Sequence, residues 1–154
     1  MADVRKKQLT TLLSHIRSEP WTVDTSIEND GCIAADVSFI VGDFNLDPSY
    51  PENALVQENG FDLWDVLQPN DAGYTEDTNI NKMRLYSHGK HKQARYDRVL
   101  LVPRTAGETT CAKCRPYSID LLGDKPFDEE LWPSDHFGLV TRVGLCKDEI
   151  VGVL

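Results

Sequence analysis

Apolar residues recur at Val4, Leu9, Leu12, Leu13 and Ile16, with Arg and Lys between them. This near-helical spacing predicts a helix from Asp3 to about Ser18, ended by Pro20. Residues 20–36 carry Asp24, Glu28, Asn29, Asp30 and Gly31 and read as a polar loop. The run Val37-Ser38-Phe39-Ile40-Val41 is short, apolar and β-branched, and Gly42 stops it, which predicts a buried strand. A polar connection with Pro48, Pro51 and Asn53 leads to a short helical stretch, Phe61 to Leu67. Further strands are expected at Arg95–Val102, Tyr117–Leu122 and Gly138–Leu145. No repeat, low-complexity tract or internal linker divides the chain, so residues 1–154 are expected to form one domain with a tail at 147–154.

Polar clusters stand at the ends of these strands, where a strand fixes position and a loop gives access. They are Gly42-Asp43-Phe44-Asn45, Arg95-Tyr96-Asp97-Arg98 and Ser134-Asp135-His136-Phe137-Gly138. Taken singly, each is ordinary. An Asp at a strand end usually caps a turn, a lone His is more often structural, and Gly-Asp-x-Asn suits a turn. In this order, each beside a strand, they match what phosphodiester hydrolysis needs. A carboxylate such as Asp43 orients or deprotonates the attacking water. The amide of Asn45 and the imidazole of His136 donate to phosphoryl oxygens as charge grows there. Asp97 is the expected companion that keeps His136 charged. Asp135 is left to face a divalent cation, and oxygen ligands of this kind suit Mg²⁺.

Charge refines this picture. The net charge of −9 argues against a protein that coats nucleic acid nonspecifically. Yet six of the 16 basic residues (Lys82, Arg84, Lys90, Lys92, Arg95 and Arg98) crowd one segment, with Asp97 as its only acid. Alone that is a solvated loop; beside the clusters above it is expected to face phosphate. The 40% hydrophobic and 27% charged content is that of a soluble globular protein, with no apolar run to span a bilayer and no signal peptide. Cys32, Cys111, Cys114 and Cys146 are too scattered for a disulfide scaffold and read as reduced thiols of a nuclear and/or cytoplasmic protein. Cys111 and Cys114 lack a second pair at zinc spacing and read as loop thiols. His88 and His91 read as solvent-exposed, and Trp64 and Trp132 as core or cleft wall.

The clusters resemble the later half of the endonuclease/exonuclease/phosphatase superfamily, and most closely its type-2 tyrosyl-DNA phosphodiesterases. The likeness runs through Arg5-Lys6-Lys7-Gln8-Leu9, Val41-Gly42-Asp43-Phe44-Asn45-Leu46, Tyr74-Thr75-Glu76-Asp77-Thr78, and Arg95-Tyr96-Asp97-Arg98. It continues through Ser118-Ile119-Asp120-Leu121-Leu122-Gly123 and Pro133 to Leu139, so that it covers about residues 3 to 146. It implies an α+β fold, the second half of a DNase I-like four-layered sandwich. It also implies Mg²⁺-dependent hydrolysis, with Mn²⁺ as a substitute, of the bond joining a topoisomerase tyrosine to a DNA 5′-phosphate.

By position, the resemblance makes Asp43, Asn45, Asp97 and His136 catalytic. It sets Asp135 at the metal and gives Tyr96, Arg95, Arg98 and Thr75 to the substrate. Two departures stand out. Glu76 replaces an aromatic residue. The family's main metal-binding Glu and an early Asn belong to the half preceding the helix that starts here at Asp3, and Glu19, Glu28 and Glu52 do not follow a suitable early strand. An upstream half-domain or self-association is therefore expected to cover an apolar face. The rivals are another substrate within the superfamily, and an inactive remnant that binds DNA or protein.

Overall fold

The computed structural model describes residues 2–18, 22–23, 33–34, 37–103, 114–128 and 131–145. In chain order these form α1 (Ala2–Ser18), β1 (Thr22–Val23), β2 (Ile33–Ala34), β3 (Val37–Asp43), α2 (Asn53–Asn59), β4 (Phe61–Asp62) and α3 (Leu63–Leu67). They continue with β5 (Glu76–Asp77), α4 (Met83–His88), β6 (Gln93–Ala94), β7 (Asp97–Pro103), β8 (Cys114–Leu122) and β9 (Gly138–Leu145). Pro20, Glu19, Glu28, Cys32, Cys111, Cys146 and the 147–154 tail lie outside the described residues.

Strand β7 is the axis of the fold, because every residue after Asp97 in it is buried. Successive side chains of a strand point to opposite faces, so a run apolar throughout requires cover on both. Leu100 and Val102 meet Leu9, Leu13 and Ile16 of α1, together with Leu46 and Val56. Val99 and Leu101 meet Leu63 and Trp64 of α3 and Cys114 and Ile119 of β8. A helical layer thus covers one face and the β8–β9 hairpin with α3 the other. Each large aliphatic side chain buried this way contributes roughly 1.5–3 kcal/mol. On α1 the buried positions Leu9, Leu13 and Ile16 form one stripe, while Val4 and Leu12 are exposed. The helix is pinned at both ends by Arg5–Glu52 at 3.0 Å and by Arg17, whose Nη2 donates to the Asn59 carbonyl at 2.9 Å.

All strand pairings among the described residues are antiparallel, in sheets ordered β3-β7-β4, β8-β9, β5-β6 and β1-β2. The β3–β7 ladder runs from Val37↔Pro103 to Asp43↔Asp97. Four sequence expectations need correction. The loop expected at 20–36 contains the β1–β2 ladder, Thr22↔Ala34 and Val23↔Ile33. The 61–67 helix begins as strand β4 and turns helical at Leu63, where Asp62 caps it by accepting from the Trp64 N–H at 3.1 Å. Strand β8 starts at Cys114, which is buried in the strand rather than exposed in a loop.

The fourth correction concerns β3, which is not a buried strand. Phe39 is 41% and Val41 65% exposed. Their partners in register are Leu101 and Val99, so they share the face that the β8–β9 hairpin covers over β7. At β3 that cover stops, leaving a groove of about 460 Å³ lined by Phe39, Val41, Asp97, Val99, Leu139 and Val143 among others. Trp64 is buried, with its indole donating to the Asp71 carbonyl at 2.9 Å. Gly73 (φ +62) lies so close beneath it that a Cβ would sit 2.3 Å from the ring. Trp132 is partly buried, its ring 5.8 Å from Phe137. His88 and His91 are exposed.

Candidate active site

The register of β3 and β7 sets Asp43 opposite Asp97 at the end of the ladder. Beyond it the chain turns sharply, with Gly42 at φ +140 and Asn45 at φ +48, a left-handed conformation that Asn tolerates better than most residues. The turn is closed by its own carboxylate. Asp43 Oδ1 accepts the backbone N–H of Asn45 at 2.7 Å, and Oδ2 accepts its side-chain amide at 3.2 Å. Both residues stand exposed at the rim. Phe44 N–H donates to the Tyr96 carbonyl at 2.9 Å, tying this turn to the start of β7.

His136 enters from the loop before β9. Its Nδ1 lies 2.8 Å from Asp97 Oδ2, and its ring stacks on Tyr96 at 6.0 Å with 23° between the planes. Both side chains of the His136–Asp97 pair are about one-fifth exposed, so the pair faces the cleft without being fully solvated. The loop is shaped by Ser134, whose Oγ accepts the His136 N–H at 3.2 Å. Asp135 is open, its carboxylate 3.7 Å from Nη1 of Arg84.

What aligns these segments is a buried layer built around Thr75, which the resemblance gives to the substrate instead. Thr75 is fully buried, and its hydroxyl accepts the N–H groups of Tyr96 (3.0 Å) and Asp97 (3.1 Å). Its carbonyl accepts the Phe137 N–H at 2.7 Å, so one residue clamps both the Asp97 and the His136 segments. Asn81, 1% exposed, donates to the Ser134 carbonyl at 2.7 Å. Glu76, 1% exposed, pairs with Arg84 at 2.7 Å, and its other oxygen is 4.0 Å from His136 Nε2. Lys92 lies 5.4 Å from the Tyr96 ring centre and 3.0 Å from Asp47. Part of this layer is the Tyr74-Thr75-Glu76-Asp77-Thr78 run of the family resemblance; Asn81 carries no signal in the sequence.

Electrostatics favour the charged pair. The hydrogen bond that the His136 imidazole donates to Asp97 holds it above its ordinary pKa against the effect of burial, with Asp135 and Asp43 adding to it. Burial opposes ionisation of Asp97, but hydrogen bonds from His136 and Thr75 outweigh it and hold the carboxyl below its usual range. Asp47 is lowered to about 2, first by the Ser49 hydroxyl, then by the Ser49 N–H and Lys92. Lys92 is pushed above its ordinary value by Tyr96 and then by Asp47.

Three expected substrate contacts lie elsewhere. Arg95 and Arg98 are 5% and 3% exposed and form ion pairs at 2.8 Å with the two oxygens of Asp62. Arg95 also meets Asp65, and Arg98 donates to the Leu46 carbonyl at 2.9 Å. Thr75 is sealed in the clamp described above. None of the three presents a side chain to the cleft, because Asp62 holds both guanidinium groups and the Tyr96 and Asp97 N–H groups occupy the Thr75 hydroxyl. Asp43, Asn45, Tyr96, Asp97, Asp135 and His136 do lie at or near the rim. Among the described residues no group of three His, Cys, Asp or Glu side chains stands close enough to hold a metal ion. Asp135 offers one carboxylate, already faced by Arg84. The described residues alone therefore do not form a metal cage.

Residues 5–136 match the Endonuclease/Exonuclease/phosphatase family, and the chain belongs to that family. Among individual proteins, it is 34% identical over 104 residues to tyrosyl-DNA phosphodiesterase 2 of Gallus gallus, covering 66% of this chain and 26% of that protein. It is 29% identical over 144 residues to tyrosyl-DNA phosphodiesterase 2 of Mus musculus, covering 92% and 33%. The fold matches the crystal structure of D. rerio TDP2 complexed with single strand DNA product, with a TM-score of 0.66 and 23% identity. That match covers 94% of this chain and 51% of that one. Truncated Caenorhabditis elegans TDP2 matches with a TM-score of 0.59 and 20% identity, covering 94% and 49%. The chain thus spans a quarter to a third of these two relatives and about half of the two solved structures. The α+β fold is established by these matches.

Proposed function

We propose that this chain is the carboxy-terminal half of a phosphodiesterase domain that cleaves the bond between a tyrosine and a DNA 5′-phosphate. The observation that carries it is the 2.8 Å His136–Asp97 contact, at the strand end where Asp43 faces Asp97 in register. The names of the relatives, and the DNA product held by one solved neighbour, point to the same substrate class.

Asp43 takes or orients the proton of the attacking water. His136, its Nδ1 bound to Asp97, turns Nε2 to a phosphoryl oxygen as a charged donor. The Asn45 amide, with one N–H on Asp43, keeps the other for the phosphate. Tyr96 supplies an aromatic surface for a base, contributing roughly 1–3 kcal/mol when stacked. Mg²⁺, when bound, neutralises charge on phosphoryl oxygens. Asp135 is the carboxylate assigned to it, and further ligands come from outside the described residues. The groove along Phe39 and Val41 is the face that an upstream half-domain covers. Without it, self-association is expected by size exclusion, and a stable monomer counts against the half-domain assignment. The setting is nuclear and/or cytoplasmic.

The test incubates the chain, alone and mixed with the amino-terminal half of a related tyrosyl-DNA phosphodiesterase 2 domain, with and without Mg²⁺, with a 5′-phosphotyrosyl oligonucleotide, abasic duplex DNA and poly(A). Preferential release of tyrosine, lost in Asp43→Asn and in His136→Ala, is expected. Faster turnover of abasic DNA or poly(A) retains the family and overturns the substrate.

A second role is favoured by one observation, the lack of a three-ligand metal group among the described residues. In it the chain binds DNA ends without cutting them. Unchanged thermal stability on Mg²⁺ titration, together with no product from any substrate, selects it.

A further inference from the structure

We infer that Glu76 and Arg84 form a pair in which a buried carboxylate holds a guanidinium at the cleft as an additional anchor for a 5′-phosphate. The inference rests on the cleft being a phosphate site, and it adds two residues that none of the three strand-end clusters contains. Glu76 is 1% exposed, on β5, directly beside the Thr75 clamp. Its Oε1 lies 2.7 Å from Arg84 Nε, and no hydrogen bond among the described residues reaches that oxygen. A carboxylate removed from water this far is strongly unfavourable unless a cation faces it. Glu76 therefore fixes where Arg84 stands.

Arg84 is not buried with it. Its side chain is 38% exposed, and Nη1 lies 3.7 Å from Asp135 Oδ2, beyond hydrogen-bond reach. The second oxygen of Glu76 is 4.0 Å from Nε2 of His136, the nitrogen not taken by Asp97. The Nε side of the Arg84 guanidinium is thus ion-paired to Glu76, whose other oxygen lies near the imidazole, while Nη1 is turned toward the open Asp135 carboxylate. A planar guanidinium held in this way matches two phosphate oxygens at once, which a mobile lysine does not. It also relieves the crowding of Asp135, Asp43 and Asp97 around an incoming dianion. Arg95 and Arg98, the arginines that the motif itself supplies, are buried against Asp62 and do not reach this place.

The test measures binding of two single-stranded oligonucleotides by fluorescence anisotropy, identical except for a 5′-phosphate on one and a 5′-hydroxyl on the other. The wild-type chain is expected to prefer the phosphate. Arg84→Ala is expected to lose about tenfold of that preference, Arg84→Lys to keep part of it, and Glu76→Gln to lose about as much as Arg84→Ala. The double variant adds little to either single change, since both remove one anchor. Arg142→Ala, which removes a surface charge paired with Asp120, controls for net charge and keeps the preference. If either single variant melts at a much lower temperature, the double variant Glu76→Gln/Arg84→Ala decides, because it leaves no buried charge without its partner. A wild-type preference that survives Arg84→Ala overturns the inference and leaves the cleft assignment standing. No preference in the wild type overturns both.

Discussion

The tetrapeptide Arg95-Tyr96-Asp97-Arg98 feeds two charge clusters of opposite character. Arg95 and Arg98 run inward to Asp62, where the Arg98–Asp62 side chains are each 3% exposed, and Arg95 also reaches the half-exposed Asp65. Tyr96 and Asp97 run outward to His136 and Lys92, where the Asp97–His136 side chains are 22% and 21% exposed. In the inner cluster every charge is matched by a fixed opposite charge, so it serves architecture. In the outer one, Asp97 leaves the far nitrogen of His136 for a ligand. The same residue types do different work because one set is sealed and the other is half open.

Four experiments break or sharpen this contrast. The largest effect is expected in the inner cluster. Asp62→Ala leaves the buried Arg98 without a carboxylate and Arg95 with Asp65 alone, and is predicted to destabilise the fold by about 3–5 kcal/mol in urea unfolding. A loss under 1 kcal/mol would mean that the cluster is not architectural. Thr75→Val comes next. It leaves the N–H groups of Tyr96 and Asp97 without their acceptor and is predicted to lower stability by about 1–3 kcal/mol, with Thr75→Ser restoring most of it.

Asp97→Asn reverses the pattern. Stability changes by less than about 1 kcal/mol, as is usual for partly exposed pairs. Turnover, in the proposed activity, falls about a hundredfold or more. Equal losses in both readouts would erase the distinction between the clusters. The smallest effect belongs to Asp47. Its carboxyl is lowered to about 2 in the folded chain, so its contribution is present above its unfolded value near 3.8 and lost as pH falls toward 2. Asp47→Asn should flatten the stability profile between about pH 4 and 2 and change little at neutral pH. An unaltered acid limb in urea titrations would remove Asp47 from that account.

Much of this was legible in the sequence. The α1 stripe, the β3 and β7 runs and the whole of β9 follow from periodicity, and the Asp43, Asp97 and His136 clusters follow from polar residues at strand ends. What escaped depended on partners distant along the chain. Arg95 and Arg98 were assigned to phosphate because nothing local reveals that Asp62, 36 residues before Arg98, is buried with them. Thr75 is given to the substrate by the resemblance, yet it is sealed, since it is satisfied by Tyr96, Asp97 and Phe137. The apolar run of β3 reads as buried, but a strand is only as buried as its neighbours make it, and the hairpin stops at β7.

The Thr75 clamp also dictates when the candidate site is assembled during synthesis. Its last backbone partner is Phe137, the residue after the imidazole. A chain still emerging from the ribosome can therefore stack α1 on β7 long before the pocket closes around a phosphate. Nascent forms would hold their helical layer while the candidate site stays open until β9 arrives.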